Sequence, residues 1–404
     1  MRSPPIRVRV PPPPAARADI SDRRSFDEAL AITAAAKARF PDAPDDVYQR
    51  GRRLVVESIQ CGVTAMRAHV EVDRTVGLCC LDVAVRLKRE FAAACDVQIA
   101  VFAQDPLFDH EGDEAPGENY ALLDQAAQHP AVSAVGSAPY VERTPAQADQ
   151  NVALILSLAA ARGLLADLHI DYNVRAAAPP LIHAVLAHMD RLRWSAARGA
   201  VALGHATRYS LFTAAEWADL RAAVGARAVA FVALPQSDLY MMGRPADASR
   251  LAPRGTLPVP YMAARGFAVA LGVNNVGNAF TPQGSVDPLA LCPLGVAVYQ
   301  DATDATCDTL LVRRLLPHFA GFYNLIDSGA SRRTPRLLSA SARRTRACAY
   351  ASATPPTSCC CTGRHPCAPR CSARPTSARR SAGAWSRARA ARRSRRAEHA
   401  VQAS

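Results

Sequence analysis

Short apolar runs alternate with amphipathic stretches along most of this chain. VTAMRAHVEV (63–72), DVQIAVFAQ (96–104), AVSAVGSAPYV (131–141), LLADLHIDYN (164–173), GAVALGHA (199–206), ARAVAFVALPQ (226–236) and GFAVALGVNN (266–275) read as strands. Helical periodicity fills the intervals over 45–62, 76–94, 118–128, 145–162, 180–192, 213–224 and 287–300. In 45–62 the spacing puts Val47, Leu54, Val55 and Ile59 on one face, with Gly62 as a stop. In 145–162 the apolar stripe is Val152, Ile155, Leu156 and Ala159. Ser25 and Glu28 have capping-box spacing at the start of the patterned region.

Apolar strands, each followed by a helix and recurring about every 30 residues, predict βα units and a parallel sheet. No glycine-rich phosphate loop follows the first strand, which disfavours a dinucleotide fold. Polar groups recur instead at the carboxyl ends of strands, where a (β/α)₈ barrel builds its site. The expected fold is therefore α/β, a TIM-type (β/α)₈ barrel, but the pattern supplies only seven strands and the first of eight is missing.

Composition divides the chain. Residues 331–404 contain 17 Arg, no Lys and one acid, Glu398, whereas residues 1–330 carry a net charge of −3 within a total of +13. Basicity thus belongs to the tail and does not make the body a nucleic-acid binder. The expected organisation is a Pro-rich disordered leader (1–24), a barrel domain (25–310) and a low-complexity, disordered tail (311–404). The tail's Cys359, Cys360, Cys361, His365, Cys367 and Cys371 match no zinc-module spacing. No secretory signal pattern or apolar span of membrane length is visible. The body cysteines fall mostly in apolar patterns, so a reduced, cytoplasmic protein with no membrane association is expected.

Several polar groups could carry chemistry. If 164–173 is a strand, Asp167, His169 and Asp171 share one face. His205 ends another strand. Arg67, His69 and Glu71 alternate onto one face of the first, either as a polar wall or as a structural ion-pair set. Gln104 could read a substrate amide. Asn274 and its neighbour Asn275 end the last strand, and Asn274 can orient a ligand but cannot accept a proton as a carboxylate would.

GVTAMRAHVEVD, VQIAVFAQDPLF, VGSAPYVE, DLHIDYN, LGHAT and NNVGNAFTPQG, in this order, resemble the cytosine deaminase branch of the amidohydrolase superfamily, closest to its fungal metallo-dependent hydrolases. The resemblance covers residues 25 to 310. It implies a divalent ion, Zn²⁺ or Fe²⁺, with His169 as a metal ligand and His205, Asp171 and Asn274 as catalytic candidates. Gln104 and Asn275 become substrate contacts. It also implies a hydrolase acting on a C–N bond of a small cyclic amidine or amide, with no specific nucleic acid; homo-oligomerisation stays open.

The pattern departs from the family in three places. Tyr172 stands where a proton-shuttling carboxylate is expected, and Asn274 stands where an aspartate is. The H-x-H of the family's first strand is absent, which leaves His169 without its family partners. The two ends are accordingly expected to reflect a truncated, mis-spliced or decayed gene. Impaired activity is the expectation, with a catalytically inert barrel-derived binding or scaffold protein as the alternative.

Overall fold

Seven parallel strands run in sequential order through one sheet, which curls into an incomplete barrel with β1 and β7 at its edges. The computed structural model describes residues 26–243 and 255–311, all in the first of the two units, 1–336 and 337–404, into which the chain divides. Helices α1 (Phe26–Lys37) and α2 (Pro44–Gln60) precede β1 (Ala65–Glu71), α3 (Cys79–Phe91), β2 (Asp96–Ala103), α4 (Glu118–Ala127) and β3 (Val132–Ser137). Then come α5 (Pro145–Arg162), β4 (Leu165–Ile170), α6 (Ile182–Arg191), β5 (Val201–His205), α7 (Ala214–Val224) and β6 (Val229–Ala233). Helices α8 (Pro235–Met241) and α9 (Val259–Ala264), strand β7 (Val269–Leu271), and helices α10 (Leu291–Tyr299) and α11 (Asp304–Leu310) complete it.

All seven expected strands are present, with shorter ends. The proposed leader, the Arg-rich tail and Ser25 of the capping box lie outside the described residues.

The two faces of the sheet explain the sequence pattern. Val101, Leu168, Ile170, Leu203 and Phe231 point outward and are fully buried against Val152, Ile155, Leu156 and Ala159 of α5 and the neighbouring helices. Thr144 caps α5 by accepting from the Gln147 N–H, and Gly163 ends it in a left-handed turn. Inside the curl, Ala100, Ala134 and Leu165 form a thin inner layer, and Phe102 stands among polar groups.

The expected apolar face of α2 is corrected at one position. Leu54 alone is exposed, whereas Val55 is buried, Val47 and Ile59 are half-buried, and Tyr48 and Ser58 join the packed side. Gly51 faces Leu87 of α3, and a Cβ there would meet the Leu87 side chain at 2.7 Å. A missing side chain, rather than an apolar one, lets these helices approach. The six described cysteines are all free thiols, with Cys95 buried and the others half-buried.

Candidate active site at the carboxyl ends of the strands

β1 sends Arg67, His69 and Glu71 into the barrel, and β4 sends Asp167 and His169. Although β1 and β4 are not neighbours, the curl brings their side chains together. Gly136 on the intervening β3 helps, because a Cβ there would strike the Asp167 carbonyl and the Phe102 ring. Arg67 Nη1 donates to Asp167 Oδ2 at 2.6 Å, and Arg67 Nε donates to Gln98 Oε1 at 2.6 Å. His69 Nε2 lies 3.3 Å from the same Asp167 oxygen. Three histidine rings then form a row: His69 to His169 at 4.9 Å between centroids, and His169 to His205 at 4.8 Å. The Phe102 ring, 4.5 Å from that of His169, backs this row.

The strand pattern left His169 without family partners, yet the fold gives it neighbours. One ligand atom each from His69, Asp167 and His169 lies within 4.8 Å of the others. Burial, reinforced by His205 and His69, pushes His169 well below its ordinary pKa and leaves a neutral imidazole. Burial opposes the charge on Asp167, but His69, Arg67 and His169 hold its carboxyl far below the usual range. Burial likewise lowers His205 to about 3.

His205 ends β5 in the left-handed region, with φ +66°, and Ala206 follows at +45°. Non-glycine residues adopt this conformation only at a cost of order 1 kcal/mol or more. Two bonds fix the bend: the Ala206 N–H donates to Ile170 O and to Gly204 O, each at 3.0 Å. Oδ1 of Asp238 in α8 lies 2.8 Å from His205 Nδ1, and the carboxyl is itself fully buried, which pushes its pKa well above the usual range. The Tyr172 ring lies on the His205 ring at 3.9 Å. Around Tyr172, Ala29, Met241 and Met242 form an apolar cluster with Tyr140, Val174 and Phe280, which keeps water from this side of the histidine row.

Asp171 does not join the others. The strand alternation ends at Ile170, because Asp171 turns to φ +50°. Its carboxylate accepts from the Leu181 N–H at 2.9 Å and from the Tyr209 hydroxyl at 2.6 Å, which commits it to the layer behind the sheet. Gln104 Nε2 is 3.4 Å from the Tyr140 hydroxyl, and the Tyr140 ring is 5.6 Å from that of Tyr172. Gln104 is thereby linked to the His205 wall. Asn274 Nδ2 donates to Ser237 Oγ at 3.0 Å, one residue before Asp238. Asn275 is half-buried in the loop after β7, with its carbonyl close to Gly284.

Two further features went unread or undecided in the sequence. Asp238 carried no signal there, since a lone Asp in LPQSDLYMM has no spacing to mark it. Lys37 of α1 is the other: its ammonium reaches Glu71 at 2.6 Å, Asp73 at 2.6 Å and Asp105 at 3.0 Å. Burial alone would lower the Lys37 pKa, but the three carboxylates raise it above its ordinary value. Burial pushes Glu71 up to about 6 against the pull of Lys37. Glu71 thus belongs to a structural ion-pair set, while Arg67 and His69 belong to the wall of the histidine row.

No protein-family model and no curated protein matches the sequence. Solved structures do match. The 5-methylcytosine deaminase of Klebsiella pneumoniae liganded with 5-fluorocytosine aligns with a TM-score of 0.63 at 22% identity, over 72% of this chain and 68% of its own. The same enzyme liganded with phosphonocytosine gives 0.63 at 21% identity, over 72% and 69%. The N-isopropylammelide isopropylaminohydrolase of Burkholderia multivorans gives 0.52 at 22% identity, over 67% and 63%. These neighbours are amidohydrolase superfamily proteins, and this chain shares their barrel fold with seven strands among its described residues.

Proposed function

We propose that the protein is a metal-dependent hydrolase of the amidohydrolase type, cleaving a C–N bond of a small cyclic amidine or amide. One observation carries the reading. His69, Asp167, His169 and His205, from three strands, meet at the carboxyl end of a parallel barrel sheet whose fold is that of two C–N hydrolases.

The donor set suits the ion. Two imidazoles and a carboxylate match Zn²⁺ or Fe²⁺ chemistry. Ligand atoms on one tetrahedral ion lie about 3.4 Å apart, so a group whose atoms lie within 4.8 Å of one another needs to close by up to roughly 1.4 Å. A divalent ion held by His69, Asp167 and His169 would supply Lewis acidity and a lower pKa for the attacking water. The side chains do the rest. His205, neutral and fixed by Asp238, accepts a proton at its free nitrogen. Gln104 offers one donor and one acceptor to the edge of a heterocycle, and the apolar cluster around Tyr172 keeps bulk water out. Asn274 and Asn275 border the substrate. Turnover is weak, because Tyr172 and Asn274 replace carboxylates of the family pattern and Asp171 is occupied by Tyr209. The free cysteines favour a reducing, cytoplasmic setting.

A second reading, an inert barrel-derived binding protein, is favoured by one contact. Arg67 already neutralises Asp167 at 2.6 Å, which needs no ion. Metal analysis separates the two. The hydrolase reading expects one zinc or iron per chain, lost in His69→Ala and His169→Ala, with ammonia or amine released from a panel of cyclic amidines. A full chain that retains no metal after zinc reconstitution establishes the inert reading.

A further inference from the structure

We infer that Asp238 is a positioning residue for the proposed hydrolysis. It fixes His205 as the Nδ1–H tautomer and leaves Nε2, across the ring, as the proton-accepting edge. The inference deepens the proposed function and rests on it for its catalytic meaning, but the tautomer itself is a property of the folded chain.

The argument starts from the two carboxylate oxygens of Asp238. Oδ2 accepts from the Leu234 N–H at 3.1 Å and from the Thr256 hydroxyl at 2.8 Å. Oδ1 faces His205 Nδ1 at 2.8 Å. Burial pushes the Asp238 carboxyl up, and the two donors on Oδ2 pull the other way, toward the ionised, acceptor-only form; in that form the proton of the Oδ1 bond sits on the imidazole at Nδ1. Everything around the bond is fixed. Asp238 is fully buried, and its helix begins at Pro235, directly after β6. The His205 ring is 3% exposed, with Tyr172 on one face at 3.9 Å and the His169 ring edge-on at 4.8 Å. A ring flip would put Cδ2 where Nδ1 stands and forfeit the bond to Asp238.

The placement has a chemical consequence. A neutral imidazole with Nδ1 protonated can take a proton at Nε2, whereas the other tautomer presents an N–H there and cannot. Asp238 therefore decides whether His205 meets the attacking water as an acceptor or as a donor.

The test follows from an asymmetry within the carboxylate. In Asp238→Asn one position must remain a carbonyl oxygen, because the Leu234 N–H is a fixed backbone donor. That leaves the amide NH₂ opposite His205, where Nδ1 must now accept. The substitution is nearly isosteric and should reverse the tautomer. Two-bond ¹H–¹⁵N correlation spectra of the full chain labelled with ¹⁵N-histidine read it directly, with the His205 signals identified by their loss in His205→Gln. The expected result is a protonated Nδ1 and bare Nε2 in the wild type, and the reverse in Asp238→Asn. Thr256→Val, which keeps the carboxylate, leaves the wild-type pattern in place. A wild-type His205 protonated at Nε2, or an Asp238→Asn spectrum with the tautomer unchanged, overturns the inference. Should Asp238→Asn fail to fold, the wild-type pattern decides alone.

With a turned-over substrate, kcat of Asp238→Asn falls on the order of 10²–10⁴-fold at near-constant KM. If the tautomer switches as described but no substrate is ever turned over, the function reading fails and the positioning stands.

Discussion

Replacing Arg67 with Met sets the metal reading against the inert one in a single variant. In the wild type the guanidinium neutralises Asp167 across 2.6 Å, with side chains only 9% and 7% exposed. Met keeps most of the aliphatic stem and removes the charge. Asp167 is then a buried carboxylate left with two imidazoles, His169 and the one-third-exposed His69 at 3.3 Å. Breaking a buried pair by deleting one partner costs about 3–5 kcal/mol, because the surviving charge stays desolvated. Coulomb attraction at an effective dielectric of 20 gives the same order, about 4 kcal/mol for unit charges 4 Å apart. The metal-free variant should therefore lose about 3–5 kcal/mol in a urea titration, seen as a lower midpoint at unchanged slope. A divalent ion on His69, Asp167 and His169 would replace the lost positive charge. Zinc at a hundred times its dissociation constant returns about 2.7 kcal/mol, and the variant should gain more from zinc than the wild type does. The reasoning is refuted if Arg67→Met loses less than about 1 kcal/mol, or if zinc leaves its midpoint where it was.

Three further outcomes are expected. Lys37→Met leaves Glu71, Asp73 and Asp105 facing one another, and with Asp105 41% exposed the loss should be about 2–4 kcal/mol by urea denaturation; neutralising Asp73 as well, with Asn, should restore part of it. Gly204→Ala places a Cβ 2.8 Å from His169 Cδ2 and 3.2 Å from Nε2, so it should cost about 1–3 kcal/mol and reduce the metal retained on dialysis, whereas unchanged metal content would show that His169 can move aside. Glu71 has a folded-state pKa of about 6 against an ordinary 4.5. The native state therefore binds its proton more readily, and this group's contribution to stability is lost as pH rises from 4.5 to 6. That slope, up to roughly 2 kcal/mol across the window, should vanish in Glu71→Gln when its pH–stability curve is compared with that of the wild type.

The strands were legible because a parallel sheet covered on both faces writes itself as apolar runs, and the spacing of those runs fixed the order β1 to β7. Leu168 and Ile170 fill the outer layer as their alternation requires, which forces Asp167 and His169 inward. The same rule failed one residue later. Alternation holds only while the backbone stays extended, and nothing in DLHIDYN announces that Asp171 turns to a positive φ and delivers its carboxylate to Tyr209. Leu54 of α2 was misplaced for a related reason. Periodicity counts apolar side chains, and there the close approach is made by Gly51, which has none.

The site was legible strand by strand but not across strands. His169 and His205 stood out as strand-end histidines, and His169 lacked its family partners because the sequence has no H-x-H. His69 was visible too, yet its side chain meets His169 across two intervening strands, whose small inner residues Ala100, Ala134 and Gly136 leave room for the sheet to curl. Curvature is a sum over the whole sheet, and no single motif carries it. Asp238 makes the same point from the other side. Its partner lies 33 positions away, and it reaches His205 because β6 ends beside β5 and Pro235 starts a helix there. A motif reading finds groups that chemistry requires in a fixed spacing. Groups that act on one another through the fold, as Arg67 on Asp167 and Asp238 on His205 do, become visible only when burial and hydrogen-bond direction are known. In this chain such pairs set the charge and the tautomer on which any catalysis would depend.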